Sequence, residues 1–432
     1  LADYVANTWT AGANVDVRST NTVAADAAAN SLRFAAPGGL VVNLAGNATL
    51  ASGGLLVTPA VGAGVSSVNG GTLTSGANEF IVTQGNTSGT FALNSVLADG
   101  AAAASLTKAG AGTLLLNGTN TFTGGVTVAA GTLAILADAN LGAVPATART
   151  NLTLDGGALS AAVNVALDAK RGVALAADSS VAVAANATLS LNGAVSGQGG
   201  LTKTGSGTLT LTGASTYTGV TTIGYGKLLV TNSTGSATGS GAVVVNDGTT
   251  FGGTGVISGA LIINGGGSVS PGASPGQLQV GDGTTFASGG RYVFEINSTV
   301  GTPGTNWDLL SISGGLTISA TVSTPFVLDL VSLTAGNASG ALANFNSAND
   351  YSWKFVTTTT GITGFSAGAF QYNASNFANN LNIGHFYVSQ TGNDLYLNFT
   401  PVPEPTTWVL LSLGLSSVLL SLRRKSRARV VE

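Results

Sequence analysis

Carboxylates are the one reactive side-chain class that this chain holds in number, with 18 Asp+Glu against a single histidine and no cysteine. Cleavage of a glycosidic bond needs two of them converging, one as acid and one as base or nucleophile. No Asp-Asp pair or clustered acidic motif occurs. Asp247 and Asp282 each stand in an Asp-Gly step before Thr-Thr-Phe, which is turn chemistry leading into a strand. His385 is the only base for a Ser-His-Asp arrangement, and its surroundings, LNIGHFYVSQ, hold no GxSxG nucleophile motif. One histidine without cysteine also starves zinc chemistry. Neither the EF-hand nor the GGxGxDxUx calcium pattern is present, and the glycines at 252–255 lead to no Gly-Lys-Ser/Thr. Lys108 and Lys203 recur at matched positions, but one lysine per copy makes no anion-binding cluster, so both are read as solvated positions. We therefore predict no catalytic, cofactor-binding or metal residue and no enzymatic activity. The alternative kept open is a polysaccharide lyase or glycoside hydrolase.

The elements that would position any such group come from an internal repeat. Residues 106–133, LTKAGAGTLLLNGTNTFTGGVTVAAGTL, and 201–228, LTKTGSGTLTLTGASTYTGVTTIGYGKL, agree at 15 of 28 positions. The shared frame is a short extended run, a glycine corner and another short run. Glycine recurs because a chain turning every few residues must repeatedly enter conformations that a Cβ disfavours. Strands this brief cannot each bury a face in an independent sheet. Stacked as turns of a coil, they form continuous parallel ladders around a narrow Val/Leu/Ala core. The Ala-rich stretch 158–187 alternates apolar and polar residues and reads as strands as well.

Composition supports this organisation. Sixty-three glycines, ten prolines and 8% charged residues do not match the polar, highly charged signature of disorder. Without the five basic residues of the tail, Glu404 and Glu432, the body carries 10 Lys+Arg against 16 Asp+Glu, a net charge of −6. Its charges are scattered singly, as on a solvated surface. Nothing resembles a basic stripe, which excludes nucleic acid as a partner. No disulfide is available, so stability must come from hydrogen-bonded ladders and packing. There is no Met and no opening signal peptide, as in a processed form or a fragment. Aromatic residues number 10 in 1–290 but 16 in 291–400. The expected division is a solenoid over 1–290, a β-rich cap over 291–400 and a C-terminal signal over 401–432.

That signal has three parts in order: Val402, Pro403, Glu404 and Pro405; an uncharged run over 406–422; and Arg423, Arg424, Lys425, Arg427 and Arg429. At about 1.5 Å per residue the run would form a helix roughly 26 Å long, a little short of a bilayer core of about 30 Å. Basic residues on one flank place that flank in the cytoplasm and the body outside.

The tail resembles the PEP-CTERM sorting signal of Gram-negative bacteria. The resemblance implies recognition by an exosortase, a transient single pass through the cytoplasmic membrane, removal of the helix and delivery to the cell surface or extracellular matrix. The two repeats resemble autotransporter-associated β-strand repeats, carried by Leu106-Thr107-Lys108, Gly110, Gly112-Thr113-Leu114 and their counterparts from Leu201. This second resemblance implies an all-β, right-handed parallel β-helix. Autotransporters end in a membrane β-barrel, whereas this chain ends in a helix and a basic stop, so self-export is not expected. The combined expectation is a non-enzymatic structural or adhesive surface protein, with exopolysaccharide as a possible contact.

Overall fold

The computed structural model describes residues 3–402 and 415–419. The chain winds as an all-β parallel solenoid, and each turn contributes short strands to three faces. The first face runs from Tyr4–Ala6 to Val195–Gly197. It continues through hydrogen bonds of Thr216 to Val195 and of Ser240 to Tyr217, and then as a six-stranded sheet from Val256–Ile257 onward. The second face is one unbroken sheet of fifteen strands, from Asn21–Val23 to Ile362–Thr363. The third becomes a nine-stranded sheet from Val165–Leu167 to Phe370–Asn376. Residues 158–187 form the strands Ala158–Ala161, Val165–Leu167, Arg171–Leu175 and Ser179–Val183, as their alternation predicts.

Alternation along each strand builds the core. Leu114, Leu133, Leu159 and Val181 are partners on successive turns of the second face, and all four are fully buried. Such a stack repeats about every 4.8 Å, so one column of apolar side chains packs against the next along the whole coil. The sheets cross Gly290 without a break: Val269 pairs with Tyr292 and Tyr292 with Leu328, all in parallel. What changes beyond it is the length of the turn. Leu106 meets its partner Val126 after 20 residues, whereas Leu316 meets Ile362 after 46. The longer turns bring in most of the aromatic side chains, such as stacked Tyr351 and Trp353, with ring centroids 5.3 Å apart. The last turn is closed by antiparallel pairing. Asp394–Thr400 lies between Tyr351–Thr358 and His385–Thr391.

The two repeats do not lie above one another. In the first copy Ser105–Ala109 belongs to the first face and Thr113–Leu116 to the second. In the second copy Leu201–Thr204 belongs to the second face and Thr208–Leu211 to the third. Four turns after Leu106 the first face is at Val195, and Leu201 then falls on the face that follows. Each copy is thus one turn that closes on itself wherever it starts.

The lysines correct the sequence expectation. Lys108 and Lys203 are not solvated; both are fully buried. Lys108 Nζ donates to the carbonyls of Ala109, Gly110 and Ala130 at 2.9, 2.6 and 2.9 Å. Lys203 Nζ repeats the pattern on Thr204, Gly205 and Tyr225 at 2.7, 2.6 and 3.2 Å. Each ammonium ties its own corner to the corner one turn later. The corner itself needs glycine: Gly205 has φ +72°, and a Cβ there would sit 2.3 Å from the Val183 carbonyl oxygen. Arg171 is a further buried charge that scattered sequence positions had suggested was solvated. Its guanidinium pairs with Asp138 at 2.9 Å and donates to Asn151 Oδ1 and to the carbonyls of Leu141 and Gly142.

The repeats also show a matched exchange. In the second copy the buried Tyr217 hydroxyl meets Thr221 Oγ1 at 2.6 Å. The same two positions of the first copy hold Phe122 and Val126, both buried and with no hydroxyl to satisfy. Polar and apolar solutions are thus swapped as a pair, as expected when one unpartnered buried hydroxyl costs about 1–3 kcal/mol.

Replacing Lys203 with Met leaves three corner carbonyls without their donor and should lower local opening free energy by about 2–3 kcal/mol, read as faster amide exchange over 201–228 with 106–133 unchanged. Burial pulls both ammonium groups from 10.5 down to about 8. The unfolded chain then holds more protons between these values, so each lysine's contribution to stability rises from about pH 8 to 10.5; Lys203→Met should flatten that slope in the local exchange. In a double-mutant cycle, Tyr217→Phe or Thr221→Val alone should each destabilise by about 1 kcal/mol or more, while the pair together should recover most of the loss.

Candidate functional site

The acidic side chains sit apart along the coil, and each described cluster is engaged within the fold. Asp16 lies between Arg33 at 3.0 Å and Arg18 at 2.8 Å. The Arg33 hydrogen bond holds its carboxyl below the usual range. Arg291 pairs with Asp329, which also accepts from Asn373 at 2.8 Å. Asp394 takes Thr357 Oγ1 at 2.7 Å and Lys354 at 3.3 Å. Burial alone would raise Asp99, but N–H donors from Ala104 and Thr123 and the Thr123 hydroxyl outweigh it and hold it low.

Asp308 is different, being fully buried and answered only by the backbone N–H groups of Gly276 and Glu295, at 2.8 and 2.9 Å. Burial pushes its carboxyl well above the ordinary range. Its oxygens brace the 276 corner against the strand Arg291–Ile296. Asp247 and Asp282 are exposed in their turns. His385 is exposed on the last antiparallel strand, 6.2 Å from the Tyr387 ring centroid. Among the described residues no group of three His, Cys, Asp or Glu side chains is placed to hold a metal ion.

Of the tail, the structure describes little. Val402 is exposed at the foot of the final strand, in a concavity of ≈ 370 Å³ with Pro401, Ser347, Ala348, Asn382, Ile383 and Gly384. Pro403, Glu404, Pro405, Arg423, Arg424, Lys425, Arg427 and Arg429 lie outside the described residues, as does most of the expected helix. Residues 415–419 are helical. Among the described residues no helix is long and apolar enough to cross a membrane.

The extended feature is the outer surface of the second face, which the sequence reading did not isolate. Partners on successive turns run Thr90, Thr113, Thr132, Ala158, Ser180, Thr202, Thr222, and later Thr285, Thr317 and Thr363. Beside this row, Asn69, Asn94 and Asn117 each donate to the asparagine one turn earlier, at 3.5, 2.7 and 3.2 Å, in a ladder that begins at Asn43. No outward strand residue of this face is charged. By contrast the first face turns Arg33 and Glu79 outward, and the third Lys227, Arg291 and Glu295. The available signal was threonine at the outward position of strand after strand, hidden because turn lengths vary.

Comparison with known proteins matches two internal segments of the coil and the tail. Residues 106–135 and 201–230 match the passenger-associated-transport-repeat family. Residues 401–425 match the PEP-CTERM protein-sorting motif. A segment of 160 residues, 36% of the chain, is 42% identical to the adhesin BmaC autotransporter of Brucella suis biovar 1 (strain 1330), and it spans 4% of that protein's length. The chain carries passenger-associated-transport repeats on a parallel β-solenoid and a PEP-CTERM sorting motif behind it.

Proposed function

We propose that this protein is a non-enzymatic structural or adhesive rod, displayed on the surface or in the extracellular matrix of a Gram-negative bacterium. The observation that carries the reading is the order of parts: a long parallel coil, an antiparallel closure and then a sorting motif. Fifteen strands on one face, spaced about 4.8 Å, give a body roughly 67 Å long. Such a body is right-handed in this reading, and residues 291–400 serve as its cap, since the antiparallel closure covers an edge that would otherwise recruit further strands. Likeness over 160 residues to a protein named an adhesin supports the adhesive role.

The tail acts as a temporary address. Its helix passes once through the cytoplasmic membrane with the basic cluster Arg423 to Arg429 inside, and an exosortase-type enzyme cleaves near Val402, Pro403, Glu404 and Pro405. The mature rod then presents threonine, serine and asparagine side chains over a long surface. Individually weak hydrogen bonds to exopolysaccharide would add through multivalency. Support for a non-catalytic role comes from the carboxylates, which brace corners and pair with cations instead of converging in a cleft.

Fractionation of cells tests the proposal. The full chain should be recovered in the extracellular matrix fraction, and a chain lacking residues 401–432 should be lost from it. Equal retention of the truncated chain, or turnover of a matrix polysaccharide by the purified protein, would overturn the reading.

A further inference from the structure

We infer that the second face is a self-association surface, on which a second copy of this chain packs face to face. It deepens the surface-rod reading by naming the partner of one face. Thirteen strands from Asn21–Val23 to Thr284–Phe286 stack on it. At about 4.8 Å per strand and about 3.3 Å per residue, they form a strip roughly 58 Å by 10 Å. Two copies meeting on it would bury about 1,150 Å² before side-chain relief is counted, close to the 1,200 Å² at which specific stable interfaces begin.

Charge points to the same face. The body has a net charge of −6, which opposes contact between copies generally. The second face presents no charged strand residue, so it is where two rods approach at least cost. Soluble proteins normally protect a long flat sheet with outward lysine or glutamate, and here that protection is present on the other two faces and absent from this one. Apart from Leu115, Asn43 and Asn69, its outward strand residues are small or β-branched. The pairs Thr113–Thr132 and Thr202–Thr222 lie in one row, Val244 and Ile262 continue it, and Ala134, Ser160 and Ala182 form the row beside it. Such side chains interdigitate closely with little ordering entropy, as in other dry sheet-to-sheet contacts. A closed two-fold pairing would bring the middle of the strip, Ala158 and Ser180, near its own symmetry mate.

The absence of cysteine makes the test direct. Ser180→Cys on the second face and Ser190→Cys on the third differ by ten positions, and both serines point outward. In the full chain held in mild detergent, Ser180→Cys should form a disulfide-linked dimer on oxidation, and Ser190→Cys should remain monomeric. In sedimentation, the unaltered chain should show a concentration-dependent dimer. Thr132→Lys with Thr202→Lys should weaken that dimer at least tenfold, and Thr210→Lys on the third face should leave it unchanged. If a lysine variant misfolds by circular dichroism, the cysteine comparison stands alone. A chain that stays monomeric at every concentration, equal cross-linking of both cysteines, or a monomer that captures dextran on the second face would overturn the inference. A monomer still retained in the matrix would sink this inference alone; a dimer lost from the matrix would sink the surface-rod reading and leave this one standing.

Discussion

Every other feature of the molecule depends on one constraint: strands of three or four residues have too little surface to be stable singly. Each borrows its hydrogen bonds and its apolar cover from the turns above and below. That dependence forces parallel registry, because a slip of one residue would turn every buried side chain outward. It also accounts for the tolerance of the coil. Turns vary from about 20 residues to 46, yet the inward columns remain aligned; the added residues extend corners or lengthen strands.

Corners therefore carry the burden of specificity. Parallel ladders satisfy the strands, but at each corner the backbone turns away from its neighbours and leaves carbonyls to be met. The two repeat copies meet them with a buried lysine whose three N–H groups match three carbonyls. Elsewhere the same task falls to Arg171, Asn120 and Asn140, while the carboxyl groups of Asp99 and Asp308 accept from corner N–H groups instead. The buried charges Lys108, Lys203, Arg171 and Asp308 all serve to hold corners. A carboxylate enclosed by backbone donors or paired with guanidinium is poorly available for acid–base work.

The class of fold was legible in the sequence because period-two alternation and glycine corners leave few other solutions. The repeat was legible too, but its geometry was not. Copies that match in sequence sit one face apart, since position around the coil depends on the summed lengths of the intervening turns. The lysines were misread for a related reason. A single lysine between Thr and a small residue looks solvated in one dimension, and only the closing of the corner reveals three carbonyls converging on it. The second face was missed because its threonines are neighbours in space and about twenty residues apart in sequence.

The proposed function is a stacked rod delivered outside the cell by a removable tail. Intact mass measurement of the protein recovered from the cell exterior tests this most directly. The account predicts a species that ends within or just before residues 402–405 and lacks the apolar run and the basic cluster. Recovery of a species still ending at Glu432, in the exterior fraction or held in the cytoplasmic membrane, would contradict it.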